Sequence, residues 1–302
     1  MKFIKSHWQK LVSVILMSML IIYVFSIGIM RIRNIEIYKK DTSHINIYEI
    51  WHIETFEGGS KSRISYINNI AREIEKENPD VLFMTKSIDP KSLADHLSKS
   101  TPDIVSFGYG IGDILLPYLS PLNTAYNVRD ELVESGTFDR RLYALPYIMS
   151  GYALFKHSSD STEFHCGQNE YISPINIYES LSYQPIEIES QYEAYKDFVY
   201  DKNTVLLGSG RDLFRINNLN NIGRANAIIE PINTYTDLIQ YIGITRQDEI
   251  IDRFLVEIFS IENQTSLTDY SLFPALDIKI YHNGIYNDME NSIKDSYVAK
   301  VF

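Results

Sequence analysis

Between Ile45 and Gly112 the apolar residues switch back and forth between a period of two and a period of three to four. That alternation constrains the fold more than any other feature. Ile45 to Ile53 reads Ile-Asn-Ile-Tyr-Glu-Ile-Trp-His-Ile, apolar at every second position and rich in β-formers, which predicts a strand. After a turn at Glu57-Gly58-Gly59-Ser60, Ile64, Ile67, Ile70, Ala71 and Ile74 recur at helical steps until Asn78-Pro79 stops them. Val81 to Ile88 is a second strand, Asp89-Pro90 has the chemistry of a helix start, and Leu93, Ala94 and Leu97 share one face. Pro102 to Phe107 is a third strand, running into Gly108-Tyr109-Gly110. Strands that alternate with helices predict a parallel sheet wound right-handedly, and such sheets bind ligands at the carboxyl ends of their strands. The loops 54–59 and 107–112 lie at that edge.

Farther along, Arg141 to Lys156 is a long extended segment containing Pro146 and Gly151, two residues that suit a crossing between lobes better than a central strand. Lys156 to Ser173 is rich in Ser, His and Asn and predicts no element. Tyr192, Tyr195, Phe198 and Val199 mark a helix. Thr204 to Leu207 reads as a short strand leading through Gly208-Ser209-Gly210-Arg211-Asp212 into a helix that reaches Asn217. Residues 222–234 read as a loop, Tyr235 to Ile244 as a strand, Ile250 to Phe259 as an amphipathic helix, and a final helix extends to about Lys294.

Leu11 to Met30 is a run of twenty residues without a charge. At about 1.5 Å per residue it spans roughly 30 Å of hydrocarbon. Lys2, Lys5 and Lys10 precede it, no small-x-small cleavage site follows before Arg31, and no cysteine is near for lipidation. The expectation is a cytoplasmic n-region at 1–10, an uncleaved transmembrane signal anchor at 11–30 and a linker at 31–44. Arg31, Arg33, Lys39 and Lys40 balance the lysines on the other flank, so charge alone leaves the orientation open.

The chain has 28 Lys and Arg against 39 Asp and Glu; the first 42 residues take seven of the former and two of the latter, leaving 21 against 37, a net of −16, in the remainder. Phosphate backbones repel such a body, which excludes nucleic acid as a partner. The single cysteine, Cys166, excludes an intramolecular disulfide and a multi-cysteine metal site, and is expected to be an ordinary loop thiol. Gly208-Ser209-Gly210 lacks the Lys-Ser/Thr ending of a nucleotide-binding loop, and no His-Glu-x-x-His or Gly-x-Ser-x-Gly motif occurs. No catalytic residue, no metal and no cofactor is expected, and the chain reads as a binding protein, not an enzyme.

In order along the chain stand Trp51-His52, Glu57-Gly58-Gly59, Glu75-Lys76-Glu77-Asn78-Pro79, Thr101-Pro102-Asp103-Ile104-Val105, Leu142-Tyr143-Ala144-Leu145-Pro146-Tyr147 and Gly151-Tyr152-Ala153-Leu154-Phe155. Collinear over roughly 45–155, they resemble the extracellular solute-binding proteins of the family-1 type that serve ABC sugar importers. Leu206 to Arg215 and Tyr235 to Tyr241 resemble the returning crossover of clostridial-type members. The resemblance implies an α/β, two-lobed periplasmic-binding-protein-like fold (type II) with mixed sheets, which the apolar run 11–30 precedes as one N-terminal transmembrane helix. It implies lobe 1 at 45–149 and 236–302, with C-terminal helices partly shared, and a reduced lobe 2 at 150–235. It implies also a single-pass protein at the cell membrane with an extracellular body, a small polar ligand such as a sugar or oligosaccharide, and ABC permease subunits as partners.

Three departures accompany it: the lipidated cysteine is missing, the span between crossings is short, and Asn233-Thr234-Tyr235-Thr236-Asp237 replaces a Gly-rich return. Sugars present apolar faces ringed by hydroxyls, which aromatic rings, carboxylates and Arg hold. The expected ligand-binding residues are Trp51, Glu54, Phe56, Tyr109, Tyr147, Tyr152, Arg211, Asp212, Tyr235 and Asp237. Two alternatives stand beside importer binding: an anchored sensor or interaction domain of the same fold, and a surface carbohydrate-active enzyme.

Overall fold

A computed structural model of the chain describes residues 17–19, 23, 45–124, 126–157, 161, 163–172, 177 and 187–302. The chain divides into two compact units, Met1–Asn46 and Ile47–Phe302. In the first, residues 17–19 and 23 are helical. The expected n-region and linker, and most of the expected anchor, lie outside the described residues. Among the described residues no helix is long and apolar enough to cross a membrane.

The elements run β1 Asn46–Ile53, α1 Arg63–Glu77, β2 Val81–Ser87, α2 Leu93–Leu97, β3 Ile104–Gly108, α3 Gly112–Leu115, α4 Asp130–Ser135, β4 Thr137–Phe138, β5 Arg141–Leu142 and β6 Ala144–Met149. There follow β7 Tyr152–Lys156, β8 Glu163–Gly167, β9 Glu187–Glu189, α5 Gln191–Tyr200, β10 Thr204–Ser209, α6 Gly210–Asn221, β11 Ile228–Pro231, β12 Tyr235–Thr236 and β13 Ile239–Ile244. Last come α7 Glu249–Ile258, α8 Ile261–Thr265, β14 Phe273–Pro274, α9 Gly284–Asp295 and β15 Tyr297–Val298.

Two sheets carry the architecture, a six-stranded one ordered β14-β6-β13-β3-β1-β2 and a five-stranded one ordered β11-β7-β10-β8-β9. β1 and β3 are parallel, while β13 runs antiparallel to both β3 and β6. The carboxyl ends of β1, β3 and β6 and the amino end of β13 therefore share one edge, at Ile53, Gly108, Met149 and Ile239. In the second sheet β8, β9 and β10 are parallel and β7 is antiparallel to β10 and β11. That sheet's corresponding edge is formed by Gly167, Ser209, Pro231 and Tyr152.

The alternation along β1 sends Tyr48 and Ile50 to one hydrophobic cluster and Trp51 and Ile53 to another, so both faces of the strand are covered. Helix α1 lays Tyr66, Ile67, Ile70, Ala71 and Ile74 on the first cluster, and α7 adds Ile251, Phe254, Leu255 and Ile258. Helix α2 covers the second cluster with Leu93 and Leu97.

Three sequence expectations need correction. Pro146 lies inside β6, not at the crossing; the register slips between Gln240 and Tyr241 opposite it, which accommodates a residue with no N–H. The crossing itself is Ser150-Gly151, where a Cβ on Gly151 would press on Ile293 and Met289 of α9. Residues 222–234 include a strand, β11, which forms because it can add to β7 at the sheet edge. Cys166 is a fully buried strand residue of β8, not a loop thiol, since the short β8 needs its apolar side chains to fill the adjoining core.

Candidate ligand site between the facing sheet edges

The edge of the six-stranded sheet carries a continuous chain of buried polar groups. Glu54 follows the last residue of β1 and accepts from His52 Nε2 at 2.9 Å and from Arg63 Nε at 3.2 Å. A carboxylate only accepts, so Nε2 carries the His52 proton, and Nδ1 accepts from Ser106 Oγ at 2.9 Å. Ser106 Oγ also meets Tyr147 Oη at 2.8 Å and takes a hydrogen bond from Gln240 Nε2 at 2.9 Å. The second Gln240 proton goes to the Ile53 carbonyl. Burial pushes the His52 imidazole below its ordinary value, so the ring is neutral near pH 7. Burial also raises Glu54, but the His52 hydrogen bond and the Arg63 charge outweigh it and hold the carboxyl at about 2. With His52 neutral, Arg63 supplies the compensating charge. Glu54 nonetheless remains 43% exposed, an ionised acceptor at the strand edge.

In its order of groups, Ser106, His52 and Glu54 resemble a nucleophilic triad. Ser106 is fully buried, however, and its Oγ is held by three side chains, so the arrangement is a structural polar core.

Opposite stands the amino end of α6. Ser209 and Asp212 form a capping box: Ser209 Oγ accepts from the Arg211 amide, and the Ser209 amide donates to Asp212 Oδ2 at 2.9 Å. Burial pushes the Asp212 carboxyl up to about 6, against the Ser209 amide and Arg215, which lower it. Arg211 reaches across and donates to the Gly59 carbonyl at 2.7 Å, and Arg215 pairs with Glu57 at 2.9 Å. Asn169, after β8, donates to the Thr55 carbonyl at 2.9 Å. The two edges thus face each other and touch through Glu57, Gly59 and Thr55.

At the crossings, Tyr152 donates to Asp237 Oδ1 at 2.6 Å and Tyr235 approaches Oδ2 at 3.4 Å. Tyr109 packs against the same cluster, its phenol raised by burial and by Asp237.

Of the ten expected residues, Glu54, Tyr109, Arg211, Tyr152, Tyr235 and Asp237 come to the facing edges or the crossings, and Asp212 supports α6 from beneath. The other three are buried: Phe56 in the cluster that holds Tyr152 and Tyr235, Tyr147 on the polar chain through Ser106, and Trp51 in a separate cluster. Trp51 is core: it lies under α2, meets His96 edge-on at 5.8 Å and donates to Glu49. Phe56 is buried with the Arg63 guanidinium over its ring at 4.3 Å. Tyr147 is buried, stacked on Tyr66 at 6.1 Å. Both faces of β1 and β6 are covered, so Trp51 and Tyr147 fill the interior.

Sequence reasoning missed His52, Arg63, Ser106, Asn169, Arg215 and Gln240. Gln240 had a signal, a lone amide among Ile239, Tyr241 and Ile242; Ser106, Asn169 and Arg215 reach their partners across long sequence separations, while His52 and Arg63 meet Glu54 from positions two and nine residues away. Among the described residues, buried polar atoms near these edges without a partner include Thr55 Oγ1, Arg63 Nη1, Ser150 Oγ and Gln240 Oε1. Buried polar groups are nearly always paired, and an unpaired one costs about 1–3 kcal/mol.

No protein-family model matches the sequence, and no curated protein is similar to it at a significant level. Solved structures do share the fold, which is the mixed α/β fold of two-lobed periplasmic binding proteins. One is the GacH receptor of Streptomyces glaucescens, solved unliganded and with acarbose: 11% identity, TM-score 0.57, covering 83% of this chain and 87% of that one. Another is the maltose-binding periplasmic protein of Listeria monocytogenes in complex with maltose: 13% identity, TM-score 0.58, covering 86% and 88%. Thiaminase I from Bacillus thiaminolyticus, an enzyme, is as similar: 10% identity, TM-score 0.58, covering 84% and 94%. At these identities the likeness is one of fold.

Proposed function

We propose that this chain is an extracytoplasmic solute-binding protein, anchored in the membrane by residues 11–30, that holds a sugar or oligosaccharide between lobe 1 (45–149 and 236–302) and lobe 2 (150–235) for an ABC importer. The observation that carries the reading is the group Thr55 Oγ1, Arg63 Nη1, Ser150 Oγ and Gln240 Oε1, buried and unpartnered beside the facing edges. Gln240 Oε1 and the exposed Glu54 carboxylate accept, Arg63 Nη1 donates, and the Thr55 and Ser150 hydroxyls do both. A neutral polyhydroxyl ligand, whose every hydroxyl donates and accepts, matches that mixture better than an anion or a cation. Maltose and acarbose are bound by proteins of this fold, which favours the same class.

Binding requires the contacts of Arg211 and Arg215 with the opposite edge to open and re-form around the ligand. Mass spectrometry of what co-purifies with the full chain, followed by thermal shifts with a panel of malto-, chito- and other oligosaccharides, tests it. A ligand that binds only the native state at a hundred times its Kd stabilises by about 2.7 kcal/mol. No co-purifying glycan and no shift across the panel would sink the sugar reading. The anchored sensor or interaction domain is the second reading, favoured by the direct Arg211–Gly59 and Arg215–Glu57 contacts, which close the edges on each other.

A further inference from the structure

The β9 end of the five-stranded sheet carries a second group of side chains. His165 on β8 pairs in register with Glu187 of the parallel β9, so Glu189, two residues on, projects to the same face as His165. Its neighbours Phe164 and Cys166 point into the core on the other face. The chain turns at Ser190 directly into α5, and α5 lays Asp197 over that face. One ligand atom from each of His165, Glu189 and Asp197 lies within 4.8 Å of the others.

His165 Nδ1 and Glu189 Oε1 are 3.4 Å apart, with both side chains 13% exposed. That separation is long for a hydrogen bond, whose N–H···O span is about 2.7–3.2 Å. It equals the edge, about 3.4 Å, of a tetrahedron with metal–ligand bonds of about 2.1 Å. We propose that His165, Glu189 and Asp197 form a binding site for a divalent transition cation, with Zn2+ the best fit.

The donor set argues for that class. Mg2+ and Ca2+ take oxygen ligands, whereas an imidazole nitrogen with two carboxylates suits Zn2+ and leaves a fourth position for water. The three ligands come from three elements, and among the described strands β9 pairs with β8 alone. A cation there ties the edge strand and α5 to β8, at the end of β9 that is in register with Gly167. No sequence motif marks it, because Glu189 and Asp197 reach His165 only through the parallel pairing and the return of α5.

Equilibrium dialysis of the detergent-solubilised full chain against Zn2+, with metal analysis, is the test. The expected result is one tightly bound Zn2+ per chain, at least tenfold weaker binding in His165→Gln and in Asp197→Asn, and unchanged binding in Cys166→Ser. Co2+ in place of Zn2+ is expected to give visible d–d absorption without a thiolate charge-transfer band. Equal Zn2+ affinity in wild type and His165→Gln, or a thiolate band that Cys166→Ser abolishes, overturns the proposal. So does the lack of any site tighter than about millimolar. If His165→Gln does not fold, broadening of the His165 ring and β9 resonances by Co2+ in the wild-type chain decides the matter: broadening there supports the site, and broadening confined to other residues overturns it.

Discussion

Tyr152 Oη donates to Asp237 Oδ1 at 2.6 Å, and in doing so joins the two segments that cross between the sheets. Tyr152 opens β7 just after the first crossing and Asp237 precedes β13 at the end of the second, 85 residues later. Both are buried, so the bond is made away from solvent. Removing a donor from a buried carboxylate costs about 1–3 kcal/mol. Tyr152→Phe is expected to lower unfolding free energy by that amount in urea titrations while keeping the fold. A loss below about 0.5 kcal/mol would show that the bond does not hold the crossings.

Trp51 separates packing from binding. Truncating a large core aromatic to Ala costs about 3–5 kcal/mol. Trp51→Ala should therefore destabilise the chain on that scale. Arg211→Ala, by contrast, should cost about 1 kcal/mol of stability through the lost Gly59 hydrogen bond. An unchanged melting temperature for Trp51→Ala would place the indole in the site instead of the core.

Asp212 gives a pH dependence whose sign follows from burial. Its carboxyl titrates near 6 when folded against an ordinary 3.8. The folded chain therefore binds this proton more tightly than the unfolded chain, and the stability it contributes is fully present below about pH 4. That contribution is lost as pH rises through 6, a change on the order of 3 kcal/mol. Asp212→Asn keeps an acceptor for the Ser209 amide and removes the titration. Its unfolding free energy, relative to wild type, should rise between pH 4.5 and 7; a difference independent of pH would refute the assignment.

Glu54 has the opposite sign. Held at about 2 by His52 and Arg63 against burial, it contributes stability that is present above about 4.5 and lost as pH falls toward 2. Its exposure lets solvent screen the interaction, so the effect on stability is small. Arg63→Met should shift the Glu54 carboxyl resonance titration upward toward the ordinary carboxylate range. A midpoint still near 2 would mean that Arg63 is not the charge that holds it.

Much of this arrangement was readable along the chain. β1, α1, β2 and β3 appear where the two periodicities place them, because each element's own residues decide which face is apolar. The start of α6 was readable too, since Ser209 and Asp212 satisfy its first amides within four residues. The buried polar chain was not. Ser106 is defined by His52, Tyr147 and Gln240, partners 54, 41 and 134 residues away, and no local pattern encodes a hydrogen bond at that separation.

Aromatic residues show the division most clearly. Trp51, Phe56 and Tyr147 have the side chains that line sugar pockets, and sequence alone could not separate them from the half-buried Tyr109. What the sequence by itself determined is the alternation of strand and helix, and with it the edge at which the strand ends gather. What only the tertiary structure decided is which side chains at that edge stay accessible. Helices cover both faces of β1 and β6, so water is excluded from Trp51 and Tyr147, while Glu54, one residue past the strand, escapes cover and keeps its charge at the surface.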